Sequence, residues 1–398
     1  MGLPLGGLPL DGMLVVALEQ AVAAPLASRH LGDLGARVVK LERVDGGDFA
    51  RKYDRAVRGL ASHFVWLNRG KESVAVDLKD ARGRDVLARL LAAADVFVHN
   101  LGPGAVDRLG FPSAELRTRH PRLVICAMSG YGSTGPYRDK RAYDLLVQSE
   151  AALVSVTGSP EHPAKAGIPV ADIASGMYAF ANVLAALLHR ERTGTGSAFE
   201  VTMFDALVEW MGHPVYATDH TGEAPPRVGL SHPVIAPYDA YPTADGHEIV
   251  IGIQNDREWI RLAEDVLSRP ELATDPEFAT NVARVRNRAA VDAAVGAVMA
   301  GLAVDVAARM LDAAHIASAR LNTVNDLLAH PQLLARDRWR TADTPAGSVR
   351  ALRSPMEPVG EAPMGAVPAL GQHTDAVLAE LGLSADDISA LRSAGVVL

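Results

Sequence analysis

The stretch that decides the fold is MLVVALEQAVAAPLASRHLGDLGARVVKLER, residues 13–43. Its ends, MLVVAL (13–18) and RVVKLE (37–42), are short β-type runs, while PLASRHLGDLG (25–35) between them repeats its apolar residues at helical spacing. Strand runs that are apolar on both faces and separated by helices predict a parallel sheet covered on both sides. The alternation continues outward through SVAVDL (73–78), DVFVHN (95–100) and LVICAMS (123–129), with a helix over DARGRDVLARLLAAA (80–94). An open α/β sheet binds its ligand beyond the carboxyl ends of its strands. At two of those ends stand Gly- and Pro-rich loops, LGPGAVDRLGF and GYGSTGPY. Such loops bring backbone amides close to an anion, although many serve only as turns.

The 398 residues, 48% hydrophobic, suffice for a large core and two or three structural units. A net charge of −8 with scattered basic residues disfavours a nucleic-acid partner. The single cysteine, Cys126, excludes an internal disulfide and a Cys-based zinc site, and its place inside LVICAMSG reads as a buried, inert thiol. No basic leader precedes the first strand, and no apolar run is read as a membrane span, so a soluble cytoplasmic protein is expected.

Further along, 166–194 reads as a strand end followed by a helix that finishes in HRERTG, and SAFEVTMFDALVEWM (197–211) as a strand passing into a helix. DHTGEAPPRVGL (219–230) reads as a linker, and IAPYDAYPTADGHEIVIGI (235–253) as a hairpin around ADG. Residues 257–335 are mostly helical, and the chain then returns to β character before its closing helices. These shifts predict a large α/β domain over 1–215, a linker and small domain over 216–330, and a return segment, 331–398, completing the first.

Three common chemistries lack their signatures. No G-x-G-x-x-G follows the first strand, where a nicotinamide enzyme needs it, and no G-x-S-x-G is present for a serine hydrolase. The 13 histidines show no H-x-x-x-H pair, so no metal site is expected. What remains is Asp172 in GIPVADIASG, at the head of a long apolar helix. Aspartate there is a good helix cap, and a helix start also favours the ionised carboxylate that a nucleophile requires. Spacing alone leaves both readings open.

The neighbours of Asp172 carry more information. KRAYDLLVQSEAALVSVTG and the following GIPVADIASGMYAFANVLAALLHRERTGTGSAFEVTMFDAL closely resemble the class III CoA-transferases, the formyl-CoA transferase family. So do AAPLASRHLGDLGARVVKLERVDGGDFAR, LNRGKESVAVDLKDARG, ADVFVHNLGPGAVDRLGF and the closing GQHTDAVLAELGLSADDISALRSAGVV. The resemblance implies a Rossmann-like large domain with a parallel sheet, a smaller α+β domain, and an interlocked dimer of ring-like protomers. It implies coenzyme A and acyl-CoA as substrate rather than a permanently bound cofactor. It places Asp172 on the catalytic aspartate, and Val22 and Ala23 on backbone contacts to CoA. Arg43, Lys79, Asn100, Leu101 and Arg108 fall on further CoA-binding positions, and Arg141, Tyr143 and Asp144 on the segment lining the pantetheine and thioester end. Individually, Arg43, Lys79 and Arg108 would otherwise read as solvated surface charges.

The implied reaction moves CoA between two carboxylic acids through an aspartyl anhydride and an aspartyl-CoA thioester. A related branch, the α-methylacyl-CoA racemases, has a histidine at the position of Tyr143, and a phenol with an ordinary pKa of about 10 is a poor proton shuttle. A non-catalytic acyl-CoA-binding dimer is a third reading. The stretch PPRVGLSHPVIAPYDAYPTADG (225–246) lacks the consecutive glycines of the formyl-CoA:oxalate enzymes. It looks like the branch that uses succinyl-CoA with malate, citramalate, itaconate or mesaconate. There Arg227 and His232 would meet the distal carboxylate, unless they only hold the hairpin.

Overall fold

The computed structural model describes residues 7–398. The chain divides into two compact units. One runs up to Leu153 and adds Ala166–Gly212 and Ala335–Leu398; the other joins Val154–Lys165 to His213–Leu334. The second unit thus takes in 154–165, a segment that the sequence reading assigned to the large domain.

Six strands form the sheet of the first unit: β1 (Leu14–Leu18), β2 (Arg37–Glu42), β3 (Lys71–Ala75), β4 (Val96–His99), β5 (Val124–Ser129) and β6 (Ala198–Thr202). Their order is β3-β2-β1-β4-β5-β6, and every neighbouring pair is parallel. β3 lies earlier than SVAVDL suggested, because its ladder with β2 ends at the pair Glu42 and Ala75. Val76 bridges instead to Val397, which brings the C-terminus back to the sheet edge. Thr374 supports the same return, its hydroxyl accepting the Ala75 N–H at 3.1 Å.

Each face of the sheet is covered. On one, Leu87, Leu90 and Leu91 of the helix Ala81–Ala93 meet Phe97, Ile125, Leu378 and Leu391. On the other, Leu31 of the first helix (Ala23–Asp33) and Phe180, Val183 and Leu187 of a long helix (Val170–Thr193) pack on Val38, Val96 and Val124. Side chains of this size each contribute about 1.5–3 kcal/mol when fully buried. Cys126 lies within this layer, and burial pushes its thiol up to about 12.

The long helix is long and apolar enough to cross a membrane by length and composition. Half of its most apolar window is buried in this fold, where the helix serves as a core element against the first helix and the sheet. It ends at Gly194, whose φ of 77° lets its N–H reach back to the Arg190 carbonyl at 2.7 Å.

In the second unit, Tyr238–Pro242, Glu248–Gly252 and Ala317–Arg320 form a three-stranded antiparallel sheet, the first two being the expected hairpin. Ile249, Ile251, Trp259, Val295 and Leu311 make its core.

Candidate active site

The strand order reverses between β1 and β4, the place where an open α/β sheet opens a crevice. A cavity of about 400 Å³ lies there, bounded by Glu19 and Gln20 after β1, Arg43 to Asp45 after β2, Asp77 to Lys79 after β3, and Leu101 after β4. Three of the expected CoA contacts, Arg43, Lys79 and Leu101, therefore line one cavity. Arg43 donates weakly to the Gly47 carbonyl at 3.3 Å and keeps most of its side chain exposed. Lys79 is also exposed. A larger hollow of about 640 Å³ lies over β4, β5 and β6, with Leu101 on its rim beside Arg108, Arg138 and Glu200. The Arg108 guanidinium donates to the Pro103 carbonyl at 3.2 Å.

Asn100 holds the neighbouring turn. Its carbonyl oxygen accepts the Gln20 N–H at 2.9 Å and its amide donates to the Gln20 carbonyl at 2.8 Å. Asn100 thus fixes the turn that leads from β1 into Val22 and Ala23. Val22 is the N-cap of the first helix and Ala23 its first residue.

That helix start meets Asp172. The long helix crosses the first helix at Gly176, where an added Cβ would lie 2.7 Å from the Ala23 carbonyl oxygen and 3.1 Å from Leu26. Ile173 packs on Val22 and Leu26. This close approach sets the half-buried Asp172 carboxylate beside the start of the first helix, with the Ala23 N–H directed toward it. The capping reading of Asp172 is therefore corrected. Pro169 holds the N-cap position and Asp172 is the third helical residue. The amides at the head of its helix are satisfied from outside by Asp144, which accepts the Ala171 N–H at 2.8 Å and the Asp172 N–H at 3.3 Å. The other Asp144 oxygen accepts from buried Gln148 at 2.6 Å.

The expected ease of ionisation is corrected as well. Burial, followed by the neighbouring Asp144 charge, pushes the Asp172 carboxyl up to about 7, against the smaller opposing pull of the Ala23 N–H. Two tyrosines complete the surroundings. Tyr143, the N-cap residue of Asp144–Glu150, is 65% exposed. Tyr53 feels Asp48, Asp172 and Tyr143, which together with burial raise its phenol to about 12. Tyr53 escaped the sequence reading, as RKYD carries no motif. Arg141 is exposed just before this segment.

The two residues expected at a distal carboxylate lie in the second unit. Arg227 donates to three backbone carbonyls, those of Ser159, Ser155 and Pro160, at 3.0, 3.2 and 3.1 Å. Holding that turn is its role in this structure. His232 stacks on Tyr238, and its Nδ1 accepts the Val234 N–H at 3.2 Å. Burial, with Arg288 and His213 nearby, lowers its pKa. Among the described residues, no group of three or more His, Cys, Asp or Glu is arranged to hold a metal ion.

Known proteins match this chain in sequence and in fold. The model of CoA-transferase family III matches residues 10–374. An acetyl-CoA:oxalate CoA-transferase of Acetobacter aceti is 37% identical, over 83% of this chain and 85% of its own. A succinyl-CoA–D-citramalate CoA-transferase of Chloroflexus aurantiacus is 31% identical, over 98% of each chain. A crystal structure of a CAIB/BAIF family protein from Brucella suis superimposes with a TM-score of 0.84 at 34% identity, covering 94% of this chain and all of that one. With nearly the whole length matched in sequence and in fold, the chain belongs to CoA-transferase family III and is an enzyme of the CoA-transferase type.

Proposed function

We propose that the protein transfers CoA from an acyl-CoA donor, succinyl-CoA, to a dicarboxylic acid of four or five carbons such as malate, citramalate, itaconate or mesaconate. The observation that carries this reading is the Asp172 carboxylate, set beside the start of the first helix by the close approach at Gly176, at the end of a turn whose earlier residues, Glu19 and Gln20, line the switch-point cavity. That continuity gives the nucleotide end and the reacting end of one acyl-CoA a single track. Arg43 and Lys79 serve the phosphates, with Leu101, Arg108 and Arg141 farther along. Tyr143 stands beside the thioester.

In the proposed reaction, an Asp172 oxygen attacks the donor carbonyl. The C–O bond forms as the C–S bond breaks, and CoA leaves as a thiolate. The thiolate then attacks the Asp172 carbonyl carbon, which forms the aspartyl thioester and releases the donor carboxylate. The acceptor carboxylate runs both steps in reverse and restores Asp172. No proton is transferred, so the site needs an ionised aspartate, oxyanion donors and exclusion of water rather than a general base. Tyr143 in place of a histidine supports transfer over α-proton exchange.

The relatives named above use oxalate and D-citramalate, so a dicarboxylate acceptor is the shared element. We also read the protein as an interlocked homodimer. In support, the helices Gly212–Thr221 and Val324–Leu328 bury none of their residues within the chain, and Tyr216 and Val324 are 70% and 77% exposed. Incubating wild type and Asp172→Ala in D2O with succinyl-CoA, a 2-methylacyl-CoA and a panel of dicarboxylic acids tests the function. New CoA esters formed by the wild type alone support it. Deuterium in the 2-methylacyl-CoA without any new ester identifies a racemase instead.

A further inference from the structure

Beneath the turn that carries Ala23 lies a set of buried charges that the reaction above does not use. Glu19 accepts from Lys71 at 2.6 Å and from Ser28 of the first helix at 2.6 Å. Glu42 pairs with Arg51 at 2.7 Å. Lys40, fully buried in β2, pairs with Asp48 at 2.9 Å. Three carboxylates thus face three cations, each with a close partner, which is the condition under which buried charge is tolerated.

Asp48 does more than neutralise Lys40. Its Oδ1 accepts the Ala21 N–H at 3.1 Å and the Ala50 N–H at 2.9 Å. Ala21 has a φ of 63°, a left-handed conformation that a residue with a Cβ adopts only under external constraint. Asn100 grips Gln20 from the β4 side and Asp48 grips Ala21 from the β2 side. Two residues later comes Ala23, which the Asp172 helix approaches closely at Gly176 and Ile173, and whose N–H is directed toward Asp172. We propose that Asp48 is a positioning residue for this reaction: by holding the strained Ala21 turn, it presents the Ala23 N–H to the Asp172 carboxylate oxygen. That oxygen becomes the carbonyl oxygen of the aspartyl thioester and bears the negative charge each time the carbonyl is attacked. A donor fixed beforehand at this point acts without reorganisation. Asp48 itself touches no reacting atom.

The proposal rests on the reading of Asp172 as nucleophile, and the test separates the two. Removing Asp48 alone would leave buried Lys40 with only the longer pairing to Glu19 at 3.4 Å, so the comparison is made with Lys40→Met in the background. Lys40→Met/Asp48→Ala loses the acceptor for Ala21, whereas Lys40→Met/Asp48→Asn keeps an oxygen in its place. Two readouts are taken on full-length protein: the ionisation midpoint of the Asp172 carboxyl by carbon-13 NMR, identified with Asp172→Asn, and kcat and KM for succinyl-CoA. Asp144 and Tyr53, which bear on this midpoint, are unaltered, and the charge of Asp48 that acts on Tyr53 is removed equally in the Ala and Asn variants.

The Ala variant is expected to raise the midpoint by about one unit. It should also lower kcat by about 10- to 100-fold with KM within about threefold. The Asn variant should recover most of both. An Ala variant that melts like Lys40→Met alone, with midpoint and kcat unmoved, overturns the proposal. So does an Asn variant that rescues neither, which would make Asp48 a charge partner only. If the wild type transfers no CoA, the nucleophile reading fails, while the midpoint still decides the role of Asp48.

Discussion

A carboxylate that attacks a thioester carbonyl has to be ionised, and Asp172 is held where that state is resisted. Its carboxyl is pushed up to about 7, first by burial and then by Asp144. The consequence is a pH dependence with a definite sign. Below about pH 7 the protonated fraction grows, and kcat/KM for the donor should fall close to tenfold per unit, levelling off above that point. Asp144→Asn removes the neighbouring charge but keeps an oxygen to accept the Ala171 and Asp172 amides, so it should move this acid limb to lower pH. A pH–rate profile of both proteins checks this, and a limb that moves upward or stays in place contradicts it. The sequence marked Asp172 and Asp144 by their motifs but could not tell their relation. Twenty-seven residues of chain separate Asp144 from the Ala171 amide that it caps, and only the packed structure shows that one carboxylate serves the other's helix.

At the scale of elements, the site is a meeting of two helix starts. The long helix can approach the first helix because Gly176 has no side chain where Ala23 and Leu26 pass. Gly176→Ala sets two effects against each other. Helix propensity favours alanine by about 1 kcal/mol, while overpacking against a backbone oxygen costs about 1–3 kcal/mol. The clash should win, giving a lower melting temperature together with a fall in kcat as Ala23 shifts. Unchanged melting and activity would show that the helices do not depend on this approach. The strands and both helices were legible from periodicity, since a doubly covered sheet demands runs apolar on both faces. Lys40 was hidden by that same regularity. Nothing within RVVKLE itself marks its one lysine as buried, and the carboxylates of Glu19 and Asp48, brought in from other loops, make its burial possible.

For the whole molecule, a parallel sheet with its cavity beyond the carboxyl ends of the strands follows from the alternation that residues 13–43 begin, whereas the strand order and the bridge from Val397 to Val76 come from the packed structure. The division into units was legible only coarsely, because Val154–Lys165 joins the second unit without any break in composition. The acceptor pocket was not legible in this way. Arg227, a natural carboxylate ligand by type, is engaged with three carbonyls of its own unit. The uncovered apolar residues of Gly212–Thr221 and Val324–Leu328 lead to the expectation of a dimer whose mass by light scattering does not fall on dilution, as threaded chains require. A monomer at any concentration would refute the interlocked assembly. The central claim is that Asp172 carries CoA between two acids, and mass spectrometry after acid quench of a single turnover with succinyl-CoA alone tests it most directly. The account predicts free succinate and a CoA adduct on the peptide bearing Asp172. Succinate released with no adduct on that peptide, at every quench time, would contradict it.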